Sequence, residues 1–345
     1  MTVKSAQVSS MSLSGALTNE AQASRPSLSY WGTAWHALRK DKLTLIAFAF
    51  VFLVGLAAAG AGLITSALGV ESNLTNAGNA YQQPYVIPYI KWQLGSDPMT
   101  APLMLGKAGG VVHWLGTDQL GRDLLARLLY GARISLLIAL TAASISLVLG
   151  VVVGAIAGYF GGVVDDFVMW VINTVTTIPT IYLLVIINSI FRPSPLILAL
   201  TLGFLGWFDI ARFMRGNVFK VRELDYTHAA RALGARSARI LSHHIIPNSI
   251  PIVIVLTANS IGGLILAESI LSFLGLGVQP PTASWGNMLF RANSFVFQRD
   301  AATQELQGLH LLFGPGLLTT FTVLAFSLIG DGLRDALDPT LKNKR

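Results

Sequence analysis

Charge-free apolar intervals recur along this chain at lengths close to what a bilayer demands, and no other feature of the sequence constrains the fold as tightly. A hydrocarbon core about 30 Å thick takes about 20 apolar residues to cross as an α-helix. Leu43 to Ile64 is the first such interval and Ile134 to Val164 the second; the second carries Gly150, Gly154, Ala157 and Gly158, small residues that suit close helix packing in lipid. Phe167 to Phe191 is the third, with Pro179 inside it, where a missing backbone donor predicts a kink. The fourth, from Leu196 to Phe208, is short and is expected to continue through Asp209 to about Phe213. The fifth runs from Ile250 to Phe273 and includes Glu268; the sixth runs from Pro315 to Gly330 and ends at Asp331. One polytopic, all-α membrane domain of about six spans is therefore expected.

Composition agrees, since 53% of the 345 residues are hydrophobic and 12% are charged, where soluble domains carry about 25% charged residues. A formal charge of +7 would raise nucleic-acid binding in a soluble protein. Here the basic residues sit between apolar blocks, so membrane orientation explains them and no nucleic-acid partner is expected. There is no cysteine, which excludes disulfides and thiolate metal sites.

Lys and Arg counts orient the spans. Placing the N-terminal tail, the segment between spans four and five and the C-terminal tail on the cytoplasmic side gives 16 basic residues inside and eight outside. Both termini are expected in the cytoplasm. The resulting division is a tail over 1–42, a first span over 43–64, an external segment over 65–133, a five-helix core over 134–333 containing a cytoplasmic loop over 214–249, and a C-terminal tail over 334–345. The tail before span one has no apolar run, so the first span is expected to be retained as an anchor. Leu124, Leu125, Leu128 and Leu129 share one helical face, with Arg122 and Arg127 elsewhere, which predicts a short amphipathic helix on the outer surface before span two.

The cytoplasmic loop carries the most local information. Tyr226, Ala229, Ala230 and Leu233 fall at i, i+3, i+4 and i+7, one face of a short helix, and Gly234 stands where a left-handed C-terminal cap is expected. A second short helix is expected from Ser237 to His244, stopped before Pro247. A helix, a glycine corner and a second helix make a projecting knob with small side chains on one side. Such a knob suits close docking in a partner's groove; a basic loop held against anionic lipid is the other reading of the same residues.

His228-Ala-Ala-Arg-Ala-Leu-Gly234, followed by Ile246-Pro247-Asn248, resembles the EAA loop of binding-protein-dependent ABC importers. The likeness extends to His113-Trp-Leu-Gly-Thr-Asp-Gln-Leu-Gly-Arg-Asp123, to Ser272-Phe-Leu-Gly-Leu-Gly-Val-Gln-Pro-Pro281 and to Gly330-Asp-Gly-Leu-Arg-Asp-Ala-Leu-Asp-Pro339, stretches similar to the C-type permease of bacterial dipeptide and oligopeptide importers. The resemblance implies a type I ABC importer permease fold in the bacterial inner membrane. It implies a heterodimer with a second related permease, two ATP-binding subunits that hold ATP and magnesium, an external substrate-binding protein and peptide cargo. It also implies that Tyr226, His228, Ala229, Ala230, Arg231, Leu233, Gly234 and Pro247 form the ATPase-coupling loop, with His228 standing where the family has glutamate. Nickel chelates, glutathione and opines are alternative cargoes within this group.

Other polar residues are candidates on position alone. Asp209 and Asp331 lie at the ends of spans, where pairing with Arg212 or Arg334 is the structural reading. Glu268 lies near the outer mouth and has two readings, a structural hydrogen bond or contact with a peptide's amino terminus. His243 and His244 are adjacent on a helix and point apart, so no metal site is expected. No Gly-x-x-x-x-Gly-Lys-Ser/Thr loop is present, so the chain is not expected to hydrolyse ATP or to need a cofactor of its own. An ion-coupled secondary transporter, relaying protons through Glu268, is the reading from another class; it has no ATPase to dock.

Overall fold

In the structure, a computed structural model, the uncharged intervals become long helices whose ends are set by caps and glycine corners. It describes residues 30–73, 75, 107–108, 111–191, 193–295, 297 and 308–337. Most of the N-terminal tail, much of the external segment over 65–112 and the C-terminal tail beyond Leu337 lie outside the described residues.

A short helix α1 (Tyr30–Leu38) precedes α2 (Lys42–Ala59), whose first turn is closed by the Asp41 carboxylate accepting from Leu43 N at 3.1 Å. Gly60 separates α2 from α3 (Ala61–Leu68). Two residue pairs, β1 (Lys107–Ala108) and β2 (Val111–Val112), form a minimal antiparallel ladder. Helix α4 (Leu124–Phe160) begins at Asp123, which accepts from Ala126 N at 2.7 Å, and runs 37 residues. The predicted amphipathic helix is thus not a separate surface element: nothing between Leu124 and Ile134 breaks the backbone ladder, and the segment continues straight into span two.

Gly161 and Gly162, both at positive φ, turn the chain from α4 into α5 (Gly162–Thr176). Pro179 divides span three more sharply than a kink would, because α5 and α6 (Thr180–Ile190) meet at 82°. Proline cannot donate to the ladder and it pushes the preceding residue out of helical conformation, so the two halves take separate axes. Helix α7 (Pro195–Val221) starts with Ser194 accepting from Ile197 N and with proline in its first turn. It extends beyond the expected end near Phe213.

A knob helix α8 (Asp225–Ala232) leads to α9 (Ser237–Ile240), a π-turn over Leu241–Ile245, and α10 (Ile246–Phe273). The second knob helix does not stop before Pro247. The Ile246 amide reaches back five residues to Leu241 O, and this wider turn accommodates a ring that would otherwise collide with the carbonyl four residues earlier. Ser237 to Phe273 is consequently one rod of 37 residues, about 55 Å at the helical rise. Helix α11 (Trp285–Phe295) caps the far end of the bundle, and α12 (Leu309–Leu337) returns through it.

Among the described residues, five helices are long and apolar enough to cross a membrane, or six if the bent pair α5/α6 is one span. The protein is a multi-pass, all-α membrane protein. Its core centres on α4 and α7, the most extensive helix pair. Gly150, Gly154 and Gly158 set their separation: a methyl group on Gly154 would stand 2.5 Å from Ala211 O, so filling it costs about 1–3 kcal/mol in overpacking. Leu128, Leu136, Ile265 and Trp285 pack α4, α10 and α11 together at one end. Met214, Val218, Ile240 and Val253 do the same for α7, α9 and α10 at the other.

Candidate functional site

Helix α8 is short, and its corner is built from backbone hydrogen bonds. Ala235 N donates to Ala230 O at 3.1 Å and Gly234 N to Arg231 O at 3.0 Å, with Gly234 at φ +79°. This is the Schellman pattern, which only a residue free of Cβ enters without strain. Ala229 and Leu233 point away from the protein, with Leu233 89% exposed, while Tyr226 on the same face is 41% exposed and turns its hydroxyl back toward α10. Ala230 is half-buried against the Met214 cluster. The residue that seats the knob is one that apolar periodicity does not reveal: Thr227 is fully buried and donates its hydroxyl to Val221 O at 2.9 Å.

Side-chain contacts from Tyr226 and Arg231 tie the knob to the membrane helices, and Arg222 and Arg215, at the end of α7, fasten the segment that leads into it. Asn248 on α10 donates to the Tyr226 hydroxyl at 3.1 Å and to His244 O at 2.7 Å. Arg231 lies over the Tyr159 ring at 5.8 Å, at the end of α4. Arg222 donates to Gly158 O at 2.9 Å, and Arg215 holds Asp165 through two hydrogen bonds, one of them 2.6 Å. His228 is half-exposed, 3.6 Å from Glu223. Pro247 lies just past the π-turn rather than at the end of a separate helix.

The polar span residues fall into two groups. Asp209 is 93% exposed, 3.2 Å from Arg212, a pairing worth little in the open. Asp331 is exposed and makes no ion pair with Arg334 among the described residues. Glu268 is at the opposite end of the α9–α10 rod from the knob and is completely buried. Its carboxylate accepts from Ser135 Oγ at 2.8 Å and Ser272 Oγ at 2.7 Å. Ser272 in turn accepts from Val278 N at 3.0 Å, and Ser135 from Trp285 N at 3.3 Å. Four elements thus meet on one carboxylate, directly or through one hydroxyl, and the carboxylate itself is shielded from solvent.

Beside it lies a second buried cluster, in a stretch read from the sequence as an outer surface. Asp118 accepts from Leu120 N and Arg122 N on one oxygen and from the Arg122 guanidinium on the other, where Arg127 also lies within 3.7 Å. His113 Nδ1 and Asp123 are 2.9 Å apart. Asp118, Arg122, Asp123 and Arg127 are each at most 4% exposed. No group of acidic, histidine or cysteine side chains that could hold a metal ion occurs among the described residues.

Residues 150–343 match the family model described as the binding-protein-dependent transport system inner membrane component. This chain belongs to that family. The match takes in α7, the knob, the rod and α12, the elements whose geometry is described above. Residues 29–84 match the N-terminal transmembrane domain of oligopeptide transport permease C. Among curated relatives, the dipeptide transport system permease protein of Bacillus subtilis is 34% identical over 92% of this chain and 88% of its own length. The oligopeptide transport system permease protein of the same organism is 31% identical over 92% of each chain. A glutathione transport system permease protein of Pectobacterium atrosepticum is 36% identical over 69% of this chain and 76% of its own length. As a family member the chain is a membrane-embedded transport component rather than an enzyme.

Proposed function

We propose that the chain is one of two related permeases in an ATP-driven importer of dipeptides or oligopeptides, and that α8 is the element through which an ATPase moves it. The knob carries this reading: a helix locked by a Schellman corner, seated through Thr227 and presenting Leu233 outward, rides on the same rod that reaches the opposite end of the bundle. Force applied to α8 passes through the Asn248–Tyr226 bond into α10 and through Arg231 and Arg222 into the end of α4. ATP and magnesium belong to two partner ATPases, and an external binding protein delivers cargo. The chain lies in the bacterial inner membrane with both termini and the knob in the cytoplasm, in keeping with its basic-residue asymmetry.

The two Bacillus permeases named for peptides align over nearly the whole chain, which favours peptide cargo. The glutathione permease relative supports a second reading with a modified tripeptide as cargo. Affinity purification of the chain from its native membrane tests the assembly: a second permease and two ATPase subunits should co-purify, and uptake of a labelled dipeptide should need all of them. A cysteine placed at Ser237 should be inaccessible to an impermeant thiol reagent outside intact cells; labelling there overturns the topology.

A further inference from the structure

The Asp118 cluster holds more positive charge than it neutralises. A carboxylate offers about four acceptor positions, and all four at Asp118 are used, by Leu120 N, Arg122 N and two guanidinium nitrogens of Arg122. Arg127, also beside it, finds a further acceptor in Ser72 O at 3.2 Å. Arg291, on α11, has neither a hydrogen bond nor an ion pair among the described residues. It lines a cavity of about 400 Å³ at the end of the bundle opposite the knob, together with Gln119, Gln279 and Phe290. Burial, and then the neighbouring Arg122, weigh against its charged form, and Asp118 offsets them only in part. Gln119 also supplies an orphan, since its Oε1 is buried with no donor.

A free guanidinium beside an acceptor lacking a donor matches the end of a peptide, where a carboxylate adjoins an N–H group. A simple inorganic anion satisfies only the first. The volume lies within the usual range of small-molecule sites, about 300–1,000 Å³. We propose that this cavity is a cargo site, in which Arg291 receives the C-terminal carboxylate of a peptide and Gln119 Oε1 accepts the adjacent N–H. The inference rests on the peptide reading above and adds a contact made by the permease itself.

The test uses the complete importer in proteoliposomes, with alanyl-alanine and alanyl-alaninamide each supplied on saturating binding protein, so that the binding protein's own preference drops out of the maximal rate. Arg291→Gln should lower the rate for alanyl-alanine by about tenfold or more, the scale of one charge-assisted hydrogen bond, and leave the amide unchanged; Arg291→Lys should recover part of the loss. Amide transport at the wild-type rate shows in the same sample that the variant is folded and coupled. Equal rates for both peptides in Arg291→Gln and wild type overturn the site. So does equal loss of both together with loss of binding-protein-stimulated ATPase activity, which would make Arg291 a docking or structural residue. A wild-type importer that moves neither peptide overturns the cargo reading first and this site with it.

Discussion

The two ends of the α9–α10 rod invert the usual distribution of polar and apolar groups. At one end a carboxylate, Glu268, is fully buried and the four elements around it are tied together through its hydrogen bonds. At the other end Leu224, Tyr226 and Leu233 stand exposed beside Arg231, Arg236 and His228. A buried carboxylate that is satisfied needs nothing more; a cluster of exposed large apolar side chains on a small helix marks a surface that is covered in use. The Glu268 carboxylate finds its hydrogen-bond partners within this chain, whereas the exposed apolar side chains of the knob fit the partner proposed above. Substitutions at Glu268 and Asp118 should therefore act through stability, and substitutions on the outward face of the knob through coupling.

The largest effect is expected at Asp118. Asp118→Ala leaves Arg122 and Arg127 buried without their carboxylate, and breaking a buried ion pair from one side costs about 3–5 kcal/mol. Thermal unfolding of the purified complex should move sharply down and membrane abundance should fall. Wild-type melting would mean that the cluster is not what holds this end, and the comparison would lose its first half.

Glu268 sharpens the same point with a pair of variants. Glu268→Ala deprives the Ser135 and Ser272 hydroxyls of their acceptor, at a cost of about 1–3 kcal/mol. Glu268→Gln keeps the shape and one acceptor. The glutamine variant should assemble and transport near the wild-type rate while the alanine variant loses abundance. A glutamine variant that assembles fully but cannot transport would show that the charge itself matters to cargo movement.

Which of these residues could be read from the sequence follows from the physics of each. Charge-free intervals report spans directly, because an unpaired charge in lipid is costly, and Gly234 reports a corner because left-handed backbone favours glycine. Pro247 misleads: it predicts a stop, and the π-turn before it lets the helix continue, a property of the hydrogen-bond register that no single residue encodes. Pro179 signals a bend, but whether the halves meet at a slight angle or at 82° depends on what each packs against. Arg122 and Arg127 read as solvent-facing because arginine usually is; their burial depends on Asp118, four and nine positions away, and on the fold bringing α11 alongside. Thr227 has no apolar periodicity to announce it, since it is buried for one hydroxyl bond.

At the knob the expectation reverses. Leu233→Glu changes a side chain that touches almost nothing in this chain, so folding stability should shift by no more than about 0.5 kcal/mol. ATPase subunits should nevertheless be lost on purification, and uptake should fall to background. Normal uptake with Leu233→Glu at normal abundance would show that the outward apolar face is not a docking surface, and the contrast between the two ends would collapse.

The smallest effect is expected at His228, where the family pattern has glutamate. The side chain is half-exposed, and among the described residues it lies 3.6 Å from the Glu223 carboxylate across an open surface. A contact of that kind contributes between nothing and about 1 kcal/mol. His228→Glu replaces it with two carboxylates, a repulsion of a few tenths of a kcal/mol for exposed like charges at this spacing. Thr227 and the Gly234 corner, which seat and shape the knob, are untouched. Uptake should therefore stay within about twofold of wild type, and adding Glu223→Gln should remove what loss there is. Loss of uptake in His228→Glu that Glu223→Gln does not repair would locate the fault outside this chain. It would mean that the partner ATPase carries a group matched to histidine, so that the knob end depends on its partner for charge as well as for apolar cover.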